Sequence, residues 1–216
     1  KFLWRVQSRL ISSTKSIEIK PTEWRTVLDK YLKTYNLTPQ DLYRVSPTTI
    51  NDKKIAQLFK GPLYNRLSVI YPELEWHPWK FEHQNVPSNY WNDITHQRKF
   101  FDKLGEEHGV NTLDDWYNLH ISKLVMENGG HHLLDKHGSA LNALMAVYPE
   151  HNWIPWKFNI APRGYFLSKE NQRRFFDWLG KTLGVKELDD WYAKLNKKVI
   201  MDNGGSKILE LHGTLL

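Results

Sequence analysis

At 216 residues, with 40% hydrophobic and 25% charged residues, the chain is long enough to bury a substantial core and is not composed like a disordered one. It contains no cysteine, which excludes disulfides, cysteine-ligated zinc, iron–sulfur clusters and thiol catalysis. No stretch reaches the roughly 20 apolar residues needed to span a membrane. Ten tryptophans, ten tyrosines and nine phenylalanines point to thick aromatic packing, stacking surfaces, or both.

Residues 1–17 stand apart. Lys1, Arg5, Arg9 and Lys15 alternate with Phe2, Leu3, Trp4, Val6, Leu10 and Ile11, four serines are interspersed, and no acid precedes Glu18. This is the composition of a mitochondrial presequence and implies a matrix location. A basic helix docking on the domain or on an anionic surface is the other reading. Without this leader the balance of basic to acidic residues falls from 30 against 24 to 26 against 24. The apparent pI near 9.3 is then largely a targeting effect and does not by itself demand a nucleic-acid partner.

Beyond the leader the chain repeats itself. The run QRKFFDKLGEEHGVNTLDDWY at 97–117 returns as QRRFFDWLGKTLGVKELDDWY at 172–192. Each is followed by Asn-Gly-Gly (128–130 and 203–205), and YPELEWHPWKF at 71–81 returns as YPEHNWIPWKF at 148–158. A divergent copy occupies 18–90, with Asp41-Leu42-Tyr43 in place of Asp-Trp-Tyr; the second copy covers 91–166 and the third 167–216. The third stops before its own YPExxWxPWxF block, so the repeat is expected to continue past Leu216.

Each copy reads as three helices and an extended aromatic tail. Helix one places Phe100, Phe101, Leu104 and His108, or Phe175, Phe176, Leu179 and Leu183, on one stripe. It ends at Gly109-Val110, Gly184-Val185 or Asn36-Leu37, where glycine or asparagine takes the left-handed position. Helix two opens on Thr38-Pro39-Gln40-Asp41, a capping signature repeated by Thr112 and Asp115 and weakened where Glu187 replaces threonine. The last helix starts at Gly61-Pro62 or Gly138-Ser139 and is stopped by Pro72 or Pro149. The WxPWxF tail is proline-restricted and extended. Trp76, Trp79, Phe81, Trp116, Trp153, Trp156, Phe158 and Trp191 are assigned to the repeat core, sealing each joint. The fold class is therefore all-α, an array of about 75-residue three-helix repeats joined by Trp/Pro-rich connectors.

Asp115-Trp116-Tyr117, Gly129-Gly130, Gly138-Ser139, Ala143-Leu144, Tyr148-Pro149-Glu150 and Trp153-x-Pro155-Trp156-x-Phe158 together resemble a Trp-rich helical repeat of eukaryotic proteins that brings no known activity. Gly138-Ser139 with Ala143-Leu144 is also similar to the small helical repeats that accompany homing endonucleases and read DNA. That second resemblance implies nucleic-acid contact, and no nuclease motif accompanies it.

No triad order, P-loop or Rossmann glycine pattern is present, so no enzyme, cofactor or small-molecule substrate is expected. Adjacent acids such as Asp114-Asp115 do not face each other on a helix and suit its first turn. His131, His132 and His137, with His108 and His120 nearby, suggest zinc. The third copy has Ser206, Lys207 and His212 at the cluster positions, so no metal is expected. What recurs is basic: Arg98 and Lys99 match Arg173 and Arg174, and Lys53, Lys54, Lys123, Lys197 and Lys198 fall around the segment before Gly-Gly. A stripe of this kind suits a phosphate backbone, and a solvated polar face is the bland alternative. The sequence thus favours a non-catalytic mitochondrial protein that binds RNA, ribosomal RNA above all. The alternatives are a protein–protein scaffold subunit of a mitochondrial complex and a DNA-binding repeat protein.

Overall fold

The computed structural model describes residues 20–87, 89–158 and 161–213; the leader therefore lies outside the described residues. Every regular element among them is helical and none is a strand. The chain divides into two compact units, residues 1–90 and 91–216, and the second unit contains both the second and third sequence copies.

In the first unit, α1 (Pro21–Thr34) starts on a proline, which gives up no intrahelical bond there, and buries Trp24, Leu28 and Leu32 on one stripe. It ends as the sequence leads one to expect: Asn36 takes φ +53°, and the Leu37 N–H reaches back to the Leu32 carbonyl at 2.8 Å. A 3-10 turn (Pro39–Tyr43) follows, closed by reciprocal capping between Thr38 and Asp41. Next come a shorter turn (Pro47–Thr49), α2 (Lys53–Phe59) and α3 (Leu63–Ile70). Leu28, Leu42, Ile55, Leu58, Leu63, Leu67 and Ile70 meet in one core, which Trp76 and Phe81 of the tail complete.

The second unit runs through the same order twice. In the second copy, α4 (Ile94–Glu107) is followed by a 3-10 turn (Leu113–Asn118), α5 (Ile121–Glu127), α6 (His131–His137) and α7 (Ala140–Val147). The third copy supplies α8 (Lys169–Leu183), α9 (Asp190–Lys194), α10 (Lys197–Asp202) and α11 (Ser206–His212).

Three helices per copy is an undercount. The expected second helix is a 3-10 turn in the first two copies, because five or six residues between cap and exit are too few for stable α-helix. The Gly-Gly pair then separates two further helices instead of joining one. At Gly204, φ is +85°, and an added Cβ would lie 2.1 Å from the Trp156 carbonyl oxygen, so both the turn and the close approach require glycine.

That approach marks how the second copy meets the third. Trp156, from the second copy's tail, is buried among Phe166, Phe175, Leu179, Ile200 and Ile208 of the third. Its ring meets Phe175 edge-on at 5.5 Å. Gly204→Ala is expected to destabilise the second unit by at least about 2 kcal/mol more than Gly109→Ala, where only the left-handed backbone penalty of about 1–2 kcal/mol applies. Urea titrations of the two variants check the difference.

Candidate interaction surfaces

The WxPWxF tail carries backbone donors but has no strand beside it, so those donors must find side chains. One tyrosine answers in each complete copy. The Tyr43 hydroxyl accepts from the His77 N–H, and the Tyr117 hydroxyl accepts from the Ile154 N–H, both at 2.8 Å. The next residue is Pro78 or Pro155, which has no N–H to satisfy. The same tyrosine rings pack on the tail's last aromatic: Tyr43 on Phe81 at 4.6 Å and Tyr117 on Phe158 at 4.5 Å. The first tail tryptophan also donates its indole N–H to the carbonyl of Tyr71 or Tyr148.

A second set of contacts holds the start of the tail against helix one. Arg25 pairs with Glu73 and Arg98 with Glu150, each at 2.5 Å. Each guanidinium also lies over a tail tyrosine, Arg25 at 5.0 Å from the Tyr71 ring centre and Arg98 at 4.6 Å from that of Tyr148. Those tyrosines donate to Asp29 (2.8 Å) and Asp102 (2.7 Å). Burial, reinforced by this donation to a carboxylate, pushes both hydroxyls above the ordinary phenol range. The arginine hydrogen bonds hold Glu73 and Glu150 below the ordinary carboxylate range.

Arg98 is therefore committed within its own copy, and donates a further bond to the Val147 carbonyl. Placing it among phosphate-binding residues needs correction: its guanidinium is taken up by a carboxylate, a carbonyl and a ring. Sequence reasoning missed this partnership because Arg98 and Glu150 lie 52 residues apart. The signal was present, since an arginine in helix one and a glutamate after Tyr-Pro recur together in the first two copies.

In the third copy the same acceptor is built but uncovered. Phe176 meets Trp191 edge-on at 6.1 Å, as Phe101 meets Trp116 at 5.9 Å. Asp190 caps its turn by accepting from the Lys186 and Glu187 N–H groups, so the loss of threonine is met by the carboxylate alone. Yet Tyr192 is 90% exposed against 9% for its counterpart Tyr117, and Leu188 is 83% exposed. Arg173, with no tail glutamate to meet, pairs with Asp177 of its own helix at 2.9 Å.

The remaining basic candidates scatter over different elements. Lys99 and Arg174 are exposed at matching positions of α4 and α8. Lys123 lies on α5 near Glu127 (3.9 Å) and lines an open cavity of about 420 Å³ with Leu119, His120, Ile121, Ser122, Leu141 and Phe158. Lys197 and Lys198 open α10, the counterpart of α5. Lys53 and Lys54 open α2, which follows its turn as α6 and α11 follow theirs, so they are not equivalent to the other lysines. Lys54 also sits over the Trp24 ring at 5.4 Å.

The histidines have local partners. His137 donates to the Gln97 side-chain oxygen, and His212 does the same to Gln172, both at 2.9 Å. Burial pulls His137 below the ordinary histidine value. His132 is 3.5 Å from Asp135, and the His108 ring meets the Leu104 carbonyl at 2.8 Å. Among the described residues no three His, Asp or Glu side chains are grouped to hold a metal ion.

Tyr117→Phe strips the Ile154 N–H of its acceptor and is expected to cost about 1 kcal/mol or more, whereas Tyr192→Phe, at an exposed hydroxyl, leaves stability unchanged. Thermal melts of both variants test the contrast. Hydrogen bonds from the Thr112 and Asn111 N–H groups lower Asp115 from its ordinary value of 3.8. Its contribution is then complete above that value and lost as pH falls through the folded one. The melting-temperature gap between the parent chain and Asp115→Asn should therefore narrow between pH 7 and roughly pH 3. No family model, no curated protein and no solved structure matches the chain.

Proposed function

We propose that the chain is a non-catalytic helical-repeat scaffold, with copies of about 75 residues, that holds protein subunits of an assembly in the mitochondrial matrix. The observation that carries this reading is the exposed aromatic and apolar face of the third copy, around Tyr192 and Leu188. Charge supports it from the other side. Arg25 and Arg98 are used internally, and the remaining excess of basic over acidic residues beyond the leader is small. The recurring acids have structural work too, as caps (Asp41, Asp115, Asp190) or as partners of tyrosine and arginine, which argues against an active site. The matrix location rests on the leader's composition.

RNA binding is the second reading, and one observation favours it: Lys99 and Arg174 are exposed at matching places in two copies. The two readings part in one experiment. Captured from organelle extract, a scaffold retains a protein partner through nuclease and high salt. An RNA-bound chain instead loses its partners to nuclease, and Lys99→Glu with Arg174→Glu removes its salt-sensitive binding. Release of every partner by nuclease would overturn the scaffold reading.

A further inference from the structure

The uncovered face of the third copy has two covered precedents in the same chain, and they define what fits it. In the second copy, α7 packs against α4, α5 and α6, burying Leu141, Leu144 and Val147. The chain then turns at Pro149, and the tail lays Tyr148 beside Phe101, Trp153 beside Tyr117 and Phe158 on Tyr117. Polar contacts fix the register of that segment: Glu150 to Arg98, the Tyr148 hydroxyl to Asp102, and the Ile154 N–H to the Tyr117 hydroxyl. The first copy repeats all three with Glu73 to Arg25, Tyr71 to Asp29 and His77 to Tyr43.

The third copy holds the receiving half of each contact. Arg173 stands for Arg98, Asp177 for Asp102 and Tyr192 for Tyr117, on the preformed Phe176–Trp191 ring pair. Arg173 and Asp177 bind each other, as two groups do when neither has its outside partner.

We propose that this face is a docking site for a partner polypeptide segment in which an apolar helix leads into Tyr-Pro-Glu-x-x-Trp-x-Pro-Trp-x-Phe. The glutamate meets Arg173, the leading tyrosine hydroxyl donates to Asp177, and the amide before the inner proline donates to Tyr192. The last aromatic covers the Tyr192 ring. The inference rests on the scaffold reading and names the ligand chemistry that reading leaves open. It gives the surface specificity as well as stickiness, because three polar contacts of fixed spacing reject an apolar helix lacking the tail.

The probe is a fluorescent synthetic peptide with the sequence of residues 139–158, added to the full 216-residue chain. Saturable binding is expected, weakened about tenfold or more by Tyr192→Ala, which removes an exposed side chain and so spares the fold. Changes in the peptide leave the protein untouched: Glu150→Ala and Trp153→Ala peptides bind more weakly. Arg173→Ala lowers affinity for the parent peptide but not for its Glu150→Ala form, because the two changes remove one contact. Absence of saturation at roughly 1 mM peptide, or equal affinity for the Tyr192→Ala chain, overturns the proposal. Self-association that buries Tyr192 and excludes the peptide also overturns it, and assigns the face to a second copy. A partner that survives nuclease and salt while the peptide fails refutes this ligand and leaves the scaffold standing.

Discussion

An extended segment outside any sheet must satisfy its backbone with side chains, and here that task falls on one tyrosine hydroxyl per complete copy. Tyr43 and Tyr117 each take the single amide that precedes the inner proline of the tail. The proline removes the next donor, so one acceptor suffices where a strand would need a ladder. The same ring then stacks on the tail's last phenylalanine, so polar and apolar anchoring share a residue. A tail held this way can bring Trp76 or Trp153 into its own copy's aromatic cluster without any β-structure.

The ion pairs play a different part. Arg25–Glu73 and Arg98–Glu150 sit partly in solvent, where screening leaves little net stabilisation. The rings beneath them are buried, and burial of such rings dominates the energetics of the fold. The pairs set direction: they fix where the chain turns after the last helix, and hence which tryptophan enters which core. Arg173 shows the contrast, since without a tail glutamate it folds back onto its own helix.

Much of this was legible in the sequence because it depends on local chemistry. Asn36, Gly109 and Gly184 end their helices in the left-handed region, and the Thr38–Asp41 and Thr112–Asp115 boxes form where the spacing put them. The proline stops after α3 and α7 also stand. What was not legible depends on distance or on small differences in length. Arg98 reads as a surface cation until Glu150, far along the chain, is brought against it. Lys53 reads as a counterpart of Lys123 until the first copy is seen to spend only a three-residue turn where the second forms α5. The Asp-Trp-Tyr segment carries a helix cap, yet length alone decides that it makes a 3-10 turn.

The placement of Trp156 has a consequence for how the second unit melts and how it arose. A ring donated by one copy to the interior of the next welds the two energetically, so residues 91–213 cannot lose the later copy while keeping the earlier one's tail intact. The stretch duplicated in the gene and the stretch that folds cooperatively are then out of phase by the length of that tail. Deletion or exchange of a module would conserve packing only if its cuts fell ahead of the tail rather than at the sequence boundary.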